Sequence, residues 1–235
     1  MSNLFSRFLN NLIPVQCLLC ARLIADRHSR HLCAACLAQL SDWPAQDSCP
    51  QCARPGTRGL RCGSCQRKPP AYDQSHARFL YVEPVKSLIH AAKFAQQWHI
   101  FPTLTQLLLT QIDQIDADLI VPLPLHNKRL QERGFNQALE IARPVSQQWG
   151  IPLRTDLLYR VSDTEHQARL SANARWKNLR GAFDCQENCS GKTIIVVDDV
   201  MTSGASLQAA AKALKQAGAR HVINLLIART PPHNG

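Results

Sequence analysis

Two groups of residues in this 235-residue chain have the types and spacing to do chemistry. The first is eight cysteines in four Cys-x-x-Cys pairs, Cys17/Cys20, Cys33/Cys36, Cys49/Cys52 and Cys62/Cys65. One such turn presents two thiolates from a single tight loop, and two turns together supply the four ligands of a tetrahedral zinc ion. The stretches between pairs are twelve, twelve and nine residues long, which suits that pattern, and eight thiolates predict two structural Zn2+ ions. The simplest pairing is sequential: Cys17, Cys20, Cys33 and Cys36 in one site, Cys49, Cys52, Cys62 and Cys65 in the other. A crossed or nested pairing is the alternative. A thioredoxin-type redox role fits poorly, because four pairs follow in a row and none stands at a strand-to-helix junction. Cys185 and Cys189 lie outside the set and read as free thiols, with a lone redox pair as the other option.

The second group is Ile194 to Ser206, reading IIVVDDVMTSGAS. An apolar strand runs into two acids, then a small hydroxylated turn, then a helix. The N–H groups of such a turn and of the helix N-terminus point at an anion, so the stretch predicts a phosphate cradle. Thr202 to Ser206 would supply it, with the hydroxyls of Thr202, Ser203 and Ser206 as further donors. Asp198 and Asp199 would repel a phosphate and must face something else. A ribose diol suits them, since two vicinal hydroxyls can donate to carboxylate oxygens. The nearby Gly191-Lys192-Thr193 is no P-loop: position 186 is Gln instead of Gly, and the tripeptide enters a strand rather than opening a helix.

This stretch resembles the 5-phosphoribosyl-1-diphosphate (PRPP) signature of type I phosphoribosyltransferases, with Ser203 where many relatives carry a second threonine. The resemblance implies that Asp198, Asp199, Met201, Thr202, Ser203, Gly204, Ala205 and Ser206 bind PRPP, accompanied by Mg2+. A diphosphate needs cations, and Lys128, Arg129 and Arg133 are the candidates. Residues 121–180 carry ten basic and five acidic side chains. Arg133 and His166 are weak catalytic candidates, weighed against a helix-terminus salt bridge and a surface histidine. Phe135 and Trp176 would stack on bases or pack in the core, the latter being commoner.

The elements that must position these residues follow from pattern. Apolar residues make up 45% of the chain, a globular composition. No run of eighteen apolar residues predicts a membrane span. The N-terminal stretch does not read as a signal peptide; Leu4, Phe5, Phe8, Leu9, Leu12 and Ile13 form a helical stripe that suits a short docked helix. The chain divides near Lys68-Pro69-Pro70, into a Cys-rich piece (1–70) and an α/β domain (71–235). Strands are expected at 78–82, 118–123, 157–161, 193–197 and 222–228. Helices are expected from Pro84 through Phe94, at 103–112, at 136–148 closed by Gly150, at 171–179, and at 205–216 followed by Gly218. Strands alternating with helices predict a parallel sheet flanked by helices. The net charge of +10 favours an anionic partner without choosing one.

Along the whole chain the order CGSCQRKPP, VPLP, RGFNQ, NLRGAF, VVDDVMTSGAS resembles the ComF/GntX family of competence proteins. The resemblance implies a type I phosphoribosyltransferase-like fold behind a double zinc ribbon. It also implies a cytoplasmic protein handling single-stranded DNA in natural transformation or DNA utilisation. Two alternatives remain: a nucleobase-salvage transferase, and a non-catalytic PRPP- or nucleotide-binding adaptor that contacts a competence helicase. With aromatics at 6%, stacking platforms for single strands would be few.

Overall fold

The computed structural model describes residues 15–24, 31–94, 97–161 and 181–232. The expected helices at 4–13 and 171–179, together with His166 and Trp176, lie outside the described residues.

The N-terminal part is built from two copies of one small unit. Strands β1 (Val15–Gln16) and β2 (Leu23–Ile24) pair antiparallel around the first knuckle. Helix α1 (Ala34–Leu37) starts directly after Cys33, and α2 (Gly63–Arg67) directly after Cys62. The residue after the second cysteine of each leading knuckle, Ala21 and Ala53, has positive φ, 57° and 56°. Each donates its N–H to the carbonyl of the knuckle's first cysteine, at 2.9 and 2.8 Å.

The rest is a four-stranded parallel sheet in the order β3-β8-β7-β4. Its strands are β3 (Gln74–Leu80), β4 (Leu119–Pro122), β7 (Thr193–Met201) and β8 (His221–Arg229). Strand β3 starts four residues before the expected 78–82, because polar Gln74-Ser75-His76 hides the pattern. The short strands β5 (Tyr159–Arg160) and β6 (Phe183–Asp184) pair with each other outside this sheet. Among the described residues, five helices accompany it: α3 (Val85–Phe94), α4 (Ile100–Leu109), α5 (Asn127–Arg133), α6 (Gln137–Trp149) and α7 (Ala205–Gln216). Val85, Leu88, Ile89 and Ala92 of α3 recur at the helical period and are buried. Asn136 caps α6 by accepting from the Ala138 N–H at 3.0 Å, and Gly150 closes it with φ 67°.

Strand alternation divides the core into two layers. Ile194 and Val196 of β7 face one way and pack with Ala210, Ala211 and Leu214 of α7. Ile195 and Val197 face the other way and pack with Leu88 and Ile89 of α3, Leu104 of α4 and Ile141 of α6. The two cysteine clusters follow this division. Cys49, Cys52, Cys62 and Cys65 belong to the α7 layer, whereas Cys17 and Cys36 belong to the α3/α4/α6 layer. Residues 41–43 run between them along the outer side of β3. The Leu80 N–H donates to the Ser41 carbonyl at 2.8 Å, and the Trp43 N–H to the Arg78 carbonyl at 3.0 Å.

One expectation changes in a way that matters for the site. The strand does not stop at Val197; β7 continues through both acids to Met201, paired with β8 as far as Arg229. Two carboxylates mask the strand pattern, and the ladder to β8 overrides their low β propensity.

Candidate phosphosugar site and zinc centres

The cysteine pairing is sequential. The sulfurs of Cys17, Cys20, Cys33 and Cys36 all lie within 4.8 Å of one another, as do those of Cys49, Cys52, Cys62 and Cys65. Four thiolates at about 2.3 Å from one ion stand about 3.8 Å apart. Cys20 and Cys33 are 3.8 Å apart, Cys52 and Cys62 3.7 Å. The Cys33 N–H points at the Cys17 sulfur and the Cys62 N–H at the Cys49 sulfur, each at 3.4 Å. Burial pushes the Cys17 and Cys49 thiols up, but the backbone N–H groups around each outweigh it and bring them down to about 6 and about 7. The donor set and spacing fit structural zinc in both clusters. Cys185 and Cys189 stand apart as free thiols with sulfurs 3.7 Å apart.

At the C-terminal end of β7 lies a crevice of about 330 Å³, lined by Lys93, Arg129, Asp198 and residues 200–207. Open parallel sheets bind ligands at the carboxyl ends of their strands. The turn is shaped for close approach. Gly204 has φ 77°, and a Cβ there would stand 2.6 Å from the Met201 Cε and 3.0 Å from the Tyr72 hydroxyl. Only glycine meets both conditions. Ala205 starts α7, so the first-turn N–H groups have no intrahelical partner; the Ala205 N–H reaches the Ser203 Oγ at 3.4 Å.

The two acids part company because consecutive strand residues face opposite sides. Asp198 lines the crevice. Asp199, only 3% exposed, turns to the other layer, where the Lys93 ammonium pairs with it and Gln137 Nε2 donates to its Oδ1 at 3.3 Å. Burial and the neighbouring Asp199 charge raise Asp198 well above the usual carboxylate range. Burial works the same way on Asp199, but Lys93 and the hydrogen bonds outweigh it and hold Asp199 low. Asp199 is thus engaged with Lys93 at the crevice edge and with Gln137, whereas the sequence reading set it beside Asp198 for a diol.

The basic candidates separate along α5. Arg129 lines the crevice, and Lys128 is exposed beside it. Arg133, one turn later, lines a neighbouring cavity of about 520 Å³ with Trp98, Gly134, Phe135, Glu140 and Arg143. Its guanidinium sits 5.4 Å from the centre of the Phe94 ring and donates to Gln137 Oε1 at 3.2 Å. Trp98 and Phe94 are 52% and 62% exposed. Phe135 packs toward the core, its ring centre 6.3 Å from that of Phe101.

Sequence reasoning missed four residues: Lys93, Gln137, Tyr72 and Arg229. Arg229 ends β8 and is 9% exposed. Its Nε donates to the Cys52 carbonyl at 2.9 Å, and its Nη1 to the carbonyls of Met201, Thr202 and Thr230 at 2.9, 2.6 and 2.8 Å. The available signal for Arg229 was a single arginine closing the run VINLLIA, apolar except for Asn224.

Residues 8–66 match the double zinc ribbon domain family and residues 136–232 the phosphoribosyl transferase domain family. Over 227 residues the chain is 32% identical to the DNA utilization protein YhgH of Escherichia coli, covering 93% of this chain and 98% of that protein. It belongs to the YhgH/ComF family. A further member, competence protein F of Haemophilus influenzae, is 30% identical over 205 residues, covering 81% of this chain and 87% of that protein. Among solved structures, the adenine phosphoribosyltransferase of Saccharomyces cerevisiae aligns at 15% identity with a TM-score of 0.36, over 57% of this chain and 71% of that one. Among the described residues of this family member, no helix is long and apolar enough to cross a membrane.

Proposed function

We propose that this YhgH/ComF-family protein binds a phosphorylated pentose of the PRPP type in the β7–α7 crevice and handles single-stranded DNA in the cytoplasm. The observation that carries the reading is the convergence on one crevice of the Thr202–Ser206 turn, the α7 N-terminus, Asp198, Lys93 and Arg129. The turn amides and the hydroxyls of Thr202, Ser203 and Ser206 take the 5′-phosphate. Asp198 accepts from a ring hydroxyl. Lys93, oriented by Asp199, and Arg129, with the exposed Lys128 next to it in the chain, answer the diphosphate charge. Asp198, which lines the crevice, would hold a Mg2+ ion accompanying the diphosphate, and the ion would supply charge neutralisation.

The neighbouring cavity supports the nucleic-acid half of the reading. Trp98 offers an exposed indole, Arg133 and Arg143 offer donors, and Glu140 offers an acceptor, the complement of a base edge. Arg143 also pairs with Glu140 at 2.8 Å, so these two would open onto a base together. The charge of the chain, +10, suits a polyanion.

Calorimetry with PRPP–Mg2+ and with a short oligonucleotide, separately and in competition, tests both halves. Binding of both is expected, with the oligonucleotide weakening steeply as salt rises. Failure of PRPP–Mg2+ to bind would remove the phosphosugar assignment, and oligonucleotide affinity that ignores salt would remove the DNA assignment. Adding free nucleobases to the PRPP-bound protein and assaying diphosphate release separates a salvage transferase from a binding protein.

A further inference from the structure

Arg229 joins two places that lie far apart in the sequence. On one side it holds the carbonyl of Cys52, a ligand of the second zinc cluster; on the other it holds the carbonyls of Met201 and Thr202 at the start of the phosphate turn. The rest of that knuckle is fastened to the sheet as well. The Pro50 carbonyl accepts from the Ser75 N–H at 3.1 Å and the Gln51 carbonyl from the Ser75 Oγ at 2.7 Å. Tyr72 packs in the same layer as the four thiols and Met201, with its hydroxyl beside Gly204.

The fork of Arg229 also sets which way the turn's amides point. A trans peptide is planar, so the C=O of one residue and the N–H of the next point in opposite directions. Drawing the Met201 and Thr202 carbonyls inward onto Arg229 turns the N–H groups of Thr202 and Ser203 outward, toward the side where both residues line the crevice. A guanidinium presents its donors in a rigid plane and can hold several carbonyls at once; a lysine ammonium cannot reproduce that fork. Among the described residues, the first zinc cluster makes no comparable contact with the turn.

We infer that the second zinc cluster and the phosphate turn are one mechanical unit. Arg229 is the positioning residue through which zinc held by Cys49, Cys52, Cys62 and Cys65 sets the anion affinity of residues 202–206. This rests on the reading that the turn takes a phosphate. Linkage makes the coupling reciprocal: a phosphosugar in the turn must tighten zinc at the second cluster by the factor that zinc tightens the phosphosugar.

The test uses the zinc-loaded full chain and ribose 5-phosphate as the probe. Competitive chelator titration reads the affinity of the two zinc sites, and hydrogen exchange reads the amides of 202–206. Saturating ribose 5-phosphate is expected to raise the zinc affinity of one site about ten-fold, within the usual range for linked sites, and to leave the other unchanged. In Arg229→Lys and Arg229→Gln both zinc ions should remain, that rise should vanish, and exchange at 202–206 should speed up. If ribose 5-phosphate binds while neither zinc site changes, or if Arg229→Lys keeps the full rise, the coupling is wrong. If ribose 5-phosphate binds no form, yet exchange at 202–206 still follows zinc occupancy in the native chain, the coupling stands and the phosphosugar reading falls. Should either variant fail to fold, the native-chain titration and exchange decide alone.

Discussion

On the α7 face of the sheet, a zinc ribbon, Asp198 and a helix N-terminus meet around an open crevice. On the opposite face another zinc ribbon joins the core, and the next acid of the same strand is buried against a lysine whose head reaches the edge of that crevice. The parts are alike. What differs is where their polar groups end up. Asp198 is half-buried at the crevice with its charge disfavoured and only the Asp199 N–H donating to its Oδ1 among the described contacts, whereas Asp199 is buried and answered by Lys93. All four thiols of the second cluster are buried, whereas Cys20 of the first is exposed. The crevice therefore opens beside the acid that makes no ion pair among the described residues, while the opposite layer buries its acid against Lys93 and so fixes a cation at the crevice edge.

Zinc removal should separate the faces most strongly. Structural zinc contributes about 10–16 kcal/mol in small peptides. Cys65→Ser is expected to lower zinc to one ion per chain, cause the largest drop in melting temperature and abolish ribose 5-phosphate binding. Cys20→Ser should also lose one ion but keep measurable binding. Metal analysis, thermal melting and calorimetry on both variants check this, and equal loss of binding would erase the distinction between the ribbons.

Next in size, Lys93→Met leaves the buried Asp199 charge without its partner and should cost about 3–5 kcal/mol in denaturant melts. The loss should shrink in Lys93→Met/Asp199→Leu, which removes both charges. Gly204→Ala strains a φ of 77° and drives a Cβ against Met201 and Tyr72. It should destabilise by about 1–3 kcal/mol and weaken ribose 5-phosphate more than ten-fold, roughly the loss of one well-placed anion contact.

The smallest stability effect should have the opposite sign. Asp198 has its folded pKa raised, so the folded state holds its proton more tightly than the unfolded chain does. Stability from this group is full below the unfolded carboxylate range and is lost as pH rises through the folded value. Asp198→Asn is therefore expected to raise the melting temperature at pH 7 slightly and to flatten its decline with pH, while ribose 5-phosphate affinity falls. Asp199, held low, works in the other direction: its contribution is present above the unfolded carboxylate range and disappears as pH drops through the folded value. Parallel pH-melting curves for Asp198→Asn and the native chain show whether the two acids differ in this way.

Much of the crevice turn and of the cysteine clusters was legible in the sequence, because their residues lie close together in the chain. Cys-x-x-Cys spacing predicts both clusters, with sequential pairing as the simplest of the options it leaves open, and the pattern of 194–216 predicts the strand, turn and helix found there. The fate of Asp199 was not legible. It depends on β7 running on to Met201, so that strict alternation sends adjacent acids to opposite layers, and on Lys93, more than a hundred residues earlier. Helix α5 was missed because its seven residues, NKRLQER, carry no apolar stripe. Arg133 was grouped with Arg129 for the diphosphate, yet one helical turn places it against Phe94 in the next cavity. Arg229 and Tyr72 matter only through contacts across the chain, which spacing cannot register.

The segment at 41–43 bears on how the protein behaves as a solute. Strand β3 is the outermost in its sheet, and a bare outermost strand is a template on which other chains can add. Here that row is already occupied by the backbone of Ser41, Asp42 and Trp43, which is strung between the two metal clusters. Metal stripped from either end would slacken that cover and expose the row to neighbours, making chelation a route to β-rich self-association as well as to lost binding.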